Sequence, residues 1–147
     1  VSKVEMPLKF YEDFDVFKIF PLDVGLLGAM TDVPASQLLV GDNCFTEFKG
    51  AFTECYVNEQ LARIQMPTYY FSGNDTEIEI DFAVQTENRV IPIEVKSEES
   101  VRSKSLKTYI DKNPSLKGLR VSMKNYIDQG WMENIGLYAI EGFLRKA

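Results

Sequence analysis

The sequence predicts an α/β domain, a mixed β-sheet flanked by helices on both sides. Three observations carry this. Two adjacent runs, 77–85 and 90–97, alternate apolar and polar residues and spell a β-hairpin. A long apolar-periodic segment, 42–65, precedes the hairpin and reads as a helix. A second helical segment, 102–112, is followed by the strand-like run Gly118–Met123, whose place after a helix implies parallel pairing to the strand of Glu94. Helix, strand, hairpin, helix, strand, strand is the order of a layered sheet-and-helix domain.

The chain has 147 residues, enough for one domain with a core of its own. It opens at Val1 rather than Met, as a fragment or processed chain would. No run is long and apolar enough for a membrane span, and no segment resembles a secretion signal. Histidine is absent, which excludes Ser-His-Asp hydrolysis, Cys-His proteolysis and His-ligated zinc. The two cysteines, Cys44 and Cys55, fall eleven residues apart on one predicted helix, about 16 Å at its rise per residue, too far for a disulfide. Reduced thiols and a cytoplasmic location are the expectation. Net charge is −6, which is not that of a free-standing DNA binder. The charge is uneven, however. Residues 95–124 hold eight of the sixteen Lys and Arg against three acidic residues, a local +5, while the rest of the chain carries −11.

In chain order, residues 1–16 lack a clear period and read as an N-terminal arm or linker, with 17–147 as the domain. Phe17–Phe20 suits a short strand stopped by Pro21. Asp23 is placed to cap a short helix, Val24–Met30, with Leu22, Leu26 and Leu27 expected in the core. Pro34–Val40 suits another short helix, ended by Gly41. Asp42 or Asn43 would cap the longest helix, which stops before Pro67. One stripe of that helix is Glu47, Gly50, Ala51, Glu54, Val57, Leu61 and Ile64. Glu54 thus sits among small and apolar neighbours and must find a partner there. Thr68–Ser72 is β-prone, and Gly73-Asn74-Asp75 suits a turn. In the helix from Arg102 to Lys112, Leu106 and Ile110 face inward and Arg102, Lys104 and Lys107 outward. Trp131-Met132 opens the last connection, and Gly136–Ile140 is the expected final strand.

The hairpin carries the chemistry. Thr86–Arg89 suits a four-residue loop, because Glu87 would be strained at the positive φ of a two-residue type I′ turn. That loop sets Asp81 opposite Glu94 and Glu79 opposite Lys96, all four on the face away from the isoleucines. Carboxylates directly across a strand pair repel at about 5 Å. A divalent cation relieves them, and Mg²⁺ or Mn²⁺ takes carboxylate oxygens, a backbone carbonyl and waters. Lys96, two residues after Glu94, points the same way and suits a water or a developing charge.

Asp81, a spacer and then Glu94-Val95-Lys96 resemble the acidic-residue and E-x-K signature of the restriction-endonuclease-like, or PD-(D/E)xK nuclease, superfamily. The segments "FKIFPLDVGLLGAM", "GAFTECYVNEQL", "EIDFAV" and "IPIEVKS" occur in that order. Together, from about Lys18 to Phe143, they resemble a domain of unknown function found C-terminal to the ATPase module of prokaryotic AAA-type ATPases. The resemblance implies a restriction-endonuclease-like core and a Mg²⁺- or Mn²⁺-dependent DNA endonuclease. Asp81, Glu94 and the Val95 carbonyl would be metal ligands, Lys96 would orient water, and Glu54 would support the site. Arg102, Lys104 and Lys107 would meet DNA phosphates. It also implies an ATPase module as partner and leaves open a domain that cleaves nothing and contacts DNA or protein. A structural role for Glu54, paired to Lys96 or Arg63, stays equally open. No G-x-x-x-x-G-K-[ST] motif occurs, so ATP binding is not expected of these residues.

Overall fold

The computed structural model describes residues 1–32, 46–73, 78–97 and 103–147. Among them six strands form one mixed sheet: β1 Thr68–Ser72, β2 Glu79–Gln85, β3 Val90–Val95, β4 Gly118–Ser122, β5 Ile127–Asp128 and β6 Met132–Gly136. Their spatial order is β1-β2-β3-β4-β6-β5. β1, β2 and β3 run antiparallel in sequence, β4 and β6 join parallel, and β5 returns antiparallel to β6. With them go helices α1 Val24–Thr31, α2 Thr46–Arg63, α3 Lys104–Lys112 and α4 Ile140–Leu144, and 3-10 turns at Leu8–Tyr11 and Leu137–Ala139.

The predicted hairpin register holds from Phe82 to Gln85, and the ladder does not extend to the expected pairs Asp81–Glu94 and Glu79–Lys96. Phe82 pairs with Ile93, Val84 with Ile91 and Gln85 with Val90, leaving Thr86–Arg89 as the loop. The Thr86 N–H donates to the Arg89 carbonyl at 2.9 Å, which closes it. β4 lies parallel to β3, with Glu94 beside Arg120, as the helix between them predicts. Gly118 lets α3 come close, since a Cβ there would stand 3.0 Å from Leu106.

The core has two halves, one on each face of the sheet. Val57 and Leu61 of α2 pack with Phe82, Val84, Ile91, Ile93, Val95, Val121 and α4. Leu106, Tyr109 and Ile110 of α3 pack with Ile78, Ile80, Ala83, Val90 and the N-terminal Val4 and Leu8. Here the strand departs from simple alternation. Ile80 faces α3, yet Phe82 faces α2. The cause is a bulge against β1: Tyr69 opposes Ala83 and Phe71 opposes Ile80, so Tyr70 spans both Asp81 and Phe82.

Other segments differ from the sequence reading. Phe17–Phe20 is extended without a strand partner among the described residues, and Leu22 is 83% exposed, with Leu26 also at the surface. Asp23 does cap α1, accepting from the Leu26 N–H at 2.8 Å. The last strand is Met132–Gly136, not Gly136–Ile140; Leu137–Ala139 form a 3-10 turn instead. The chain turns there because the Tyr138 ring folds over Gly136, where a Cβ would meet it at 2.5 Å. The expected helix 34–40, the start of the long helix with Cys44, the turn at Asn74-Asp75 and Arg102 lie outside the described residues. Cys55 is buried and free. Among the described residues no helix is long and apolar enough to cross a membrane.

Candidate functional site

The bulge decides where the carboxylates go. Asp81 sits at it and lines an open cleft of about 360 Å³ with Lys18, Asn58, Tyr70 and Phe82. Its Oδ2 accepts from the Val95 N–H at 2.7 Å, so a side chain takes the place of a ladder carbonyl where β2 and β3 part. Glu94 alternates with Ile93 and Val95, which face α2, and therefore shares the α3 face with its β4 neighbour Arg120. Asp81 thus lines a cleft with Asn58 of α2 while Glu94 lies on the α3 face, so the expected pair of carboxylates on one face does not form.

Each carboxylate group has its own lysine. Lys18, from the extended segment before α1, lies 3.6 Å from Glu54 Oε2 and 3.1 Å from Glu79 Oε1. Its ammonium also sits 5.2 Å from the centre of the Tyr70 ring. On the other side, Lys96 Nζ lies 2.9 Å from Glu94 Oε1. Glu54 therefore pairs with neither Lys96 nor Arg63, and Arg63 pairs with Glu141 instead. Lys18 was not among the residues singled out from the sequence, because only the tertiary fold brings residue 18 to residues 54 and 79.

A second group was likewise hidden. Arg120 is 4% exposed and donates from Nε to Asn134 Oδ1 at 2.8 Å. Ser122 Oγ donates to the same oxygen at 2.8 Å, while Asn134 Nδ2 donates to the Lys124 and Asn125 carbonyls. Asn134 is fully buried in β6, so the polar letters that hid this strand in the sequence belong to an internal network. Of the expected phosphate-binding residues, Lys107 pairs with Asp111 and lies 5.2 Å from the centre of the Trp131 ring. Lys104 is exposed on the same helix.

Electrostatics mark Asp81. Burial, with smaller contributions from Glu54 and Glu94, pushes its carboxyl up to about 6, against the opposing hydrogen bond from Val95 and the charge of Lys18. For Lys18, burial works against the ammonium, but Glu54, Glu79 and Asp81 outweigh it and its pKa is raised. Burial lowers the pKa of Arg120, opposed by Glu94.

These residues suit a divalent cation in two respects. Glu94 Oε2 is buried and has no hydrogen-bond partner among the described residues. Asp81 is short of water and crowded by like charge. A positive ion would relieve both. Among the described residues no three Cys, Asp or Glu side chains gather closely enough for a cage. Water or phosphate oxygens would have to complete the shell, as is usual for Mg²⁺.

The sequence model of a domain of unknown function, DUF4143, matches residues 49–139, from within α2 to the turn after β6. The chain belongs to the DUF4143 family. No curated protein and no solved structure matches it. The matched span of this DUF4143 domain contains Glu54, Asp81, Glu94, Lys96, Arg120 and Asn134. It does not contain Lys18.

Proposed function

We propose that this DUF4143 domain is a nuclease-like domain of restriction-endonuclease type, the C-terminal part of a prokaryotic AAA-type ATPase, acting on DNA with Mg²⁺ or Mn²⁺. One observation carries the reading. Asp81 is held by its Oδ2 against the N–H of Val95, the residue between Glu94 and Lys96, where two antiparallel strands part. That sets the acid against the central peptide N–H of the E-x-K element.

Asp81, Glu94 and the Val95 carbonyl would hold the cation, which would supply charge neutralisation at a phosphodiester and activation of water. Lys96, already 2.9 Å from Glu94 and one-third exposed, would hold that water or a phosphate oxygen. Glu54 acts at one remove, fixing the lysine beside Asp81. Lys104 and Lys107, and Arg102 beyond the described residues, would meet backbone phosphates. The ATPase module as neighbour is supported by the apolar surface of residues 14–30, where Phe14, Phe17, Ile19, Leu22 and Met30 are exposed.

The test is cleavage of supercoiled plasmid and single-stranded DNA with millimolar Mg²⁺ or Mn²⁺, with Asp81→Asn and Lys96→Ala as controls. Cleavage lost in both variants supports the reading. An inert parent chain that also binds no metal removes it. A second reading then leads, a module that contacts DNA or protein and cleaves nothing. The observation favouring that second reading is that Lys18 and Lys96 already neutralise the carboxylates.

A further inference from the structure

The outer edge of β5 is open. Residues 123–130 are all exposed, among them Met123, Tyr126 at 59% and Ile127 at 42%. The opposite edge is covered: Val1, Ser2 and Val16 line a cleft with Tyr70 and Phe71 of β1, and the Val1 amine donates to the Tyr70 carbonyl at 2.8 Å. Exposed edges are commonly guarded by brevity, proline, a bulge or a covering segment. β5 is short, but no proline or glycine interrupts residues 123–129 and apolar side chains are presented there.

Backbone direction fixes what this edge offers. The Gln129 N–H donates to the Met132 carbonyl, and the Asn125 carbonyl accepts from Asn134 Nδ2. Residues 125, 127 and 129 therefore turn their polar backbone groups toward β6. Those of Tyr126 and Asp128 turn outward, by the alternation of an antiparallel ladder. A second copy offers the same two residues, so a two-fold antiparallel pairing can be centred on residue 126, 127 or 128. Centring on 128 sets two Asp128 carboxylates against each other. Centring on 126 needs the backbone of Lys124, whose carbonyl is turned inward to Asn134 Nδ2 at 3.2 Å. Centring on 127 pairs Tyr126 with Asp128 of the second copy, twice over. It sets Ile127 against itself at a non-hydrogen-bonded position, where side chains come closest, and Lys124 diagonal to the opposing Asp128. Lys117 bridges Asp128 and Glu133, and Lys124 brings the charge of these four residues to zero. The edge thus carries no net charge against self-association.

We propose that β5 is a self-pairing edge: two copies of this chain join antiparallel through residues 125–129, centred on Ile127, and two six-stranded sheets become one. The surface lies away from Asp81 and is independent of the nuclease reading.

Sedimentation equilibrium from micromolar to millimolar concentration tests this on the parent chain, on Ile127→Lys, on Ile127→Asp, and on an equimolar mixture of the two variants. So small a contact gives a weak, reversible dimer in the parent. Each substitution meets itself across the two-fold axis, so each alone should dimerise about tenfold less tightly or worse. The mixture sets lysine against aspartate at the same point and should restore the dimer. A parent that stays monomeric at millimolar concentration leaves the edge to a foreign strand and overturns the proposal. A dimer that survives both substitutions lies elsewhere and also overturns it. A mixture that remains monomeric overturns the register. Amide hydrogen exchange in the parent needs no folded variant. The Tyr126 and Asp128 amides should exchange more slowly as concentration rises, and rates independent of concentration at both count against the pairing.

Discussion

Replacing Asp81 with Asn should stabilise the metal-free protein, and only above acid pH. The Asp81 carboxyl is pushed up to about 6 in the fold, against 3.8 when free, chiefly by burial. The folded state therefore holds this proton more tightly than the unfolded chain between those values. Stability from this group is full below 3.8, falls as pH rises through the window, and is flat above 6. At 1.36 kcal/mol per pH unit the loss reaches about 3 kcal/mol. Asparagine keeps the oxygen that accepts from Val95 at 2.7 Å and cannot ionise. In EDTA at pH 8 the variant should thus exceed the parent by up to ~3 kcal/mol, a melting-temperature rise of roughly 6–10 °C for a chain of this size. At pH 4 the two should nearly coincide. Urea unfolding of both proteins at half-unit pH steps measures the difference, and other carboxylates cancel in it. A difference that does not grow between pH 4 and 6, or a variant less stable than the parent at pH 8, would refute the claim that Asp81 is held against its preferred charge state. Saturating Mn²⁺ should narrow the gap, because it stabilises the parent alone.

Arg120→Ala should cost about 3–5 kcal/mol in urea unfolding, since it removes the Asn134 hydrogen bond and leaves the Glu94 carboxylate buried with less positive charge beside it. Lys104→Ala/Lys107→Ala should change stability by no more than about 0.5 kcal/mol, these being surface charges, while lowering DNA affinity in a filter-binding assay and flattening its salt dependence. The Cys55 thiol is 1% exposed and burial raises its pKa, so iodoacetamide should label it far more slowly in the native chain than in urea, with the site located by mass spectrometry.

What the sequence could show followed from local period and turn chemistry. The four-residue loop at Thr86–Arg89 and the pairing of Val84 with Ile91 need only alternation and a φ argument, and both hold. The cap at Asp23 needs only its neighbours. The bulge was invisible for a different reason. Both faces of β2 are buried, so Ile80, Phe82, Ala83 and Val84 are all apolar and nothing in the pattern says which face each takes. β6 was missed because Asn134 and Glu133 look like loop residues. Only the fold reveals that Asn134 receives Arg120 and that Glu133 meets Lys117. Exposure of Leu22 was missed because apolar residues are expected inside, and that rule does not run in reverse. Of the candidate site, Asp81, Glu94 and Lys96 could be singled out together because they share one hairpin. Lys18 was not, since its partners are 36 and 61 positions away in the chain.

The cost of Asp81 bears on whether this region serves more than folding. A sheet that had only to fold could place an apolar residue at 81 and let a backbone carbonyl accept the Val95 N–H. Instead the chain carries a bulge, a carboxyl displaced toward its neutral form, and beside it a Glu94 oxygen with no donor among the described residues. Each of these lowers stability, and they fall within one short stretch of two neighbouring strands. Arg120, Asn134 and Ser122 show that the same sheet satisfies buried polar atoms fully where nothing else is asked of them. An unsatisfied Glu94 oxygen and a displaced Asp81 carboxyl next to a satisfied network point to a selected arrangement. A positive ligand would relieve the Asp81 charge and the unpaired Glu94 oxygen. That is why metal binding, rather than cleavage, is the property on which the nuclease reading stands or falls first.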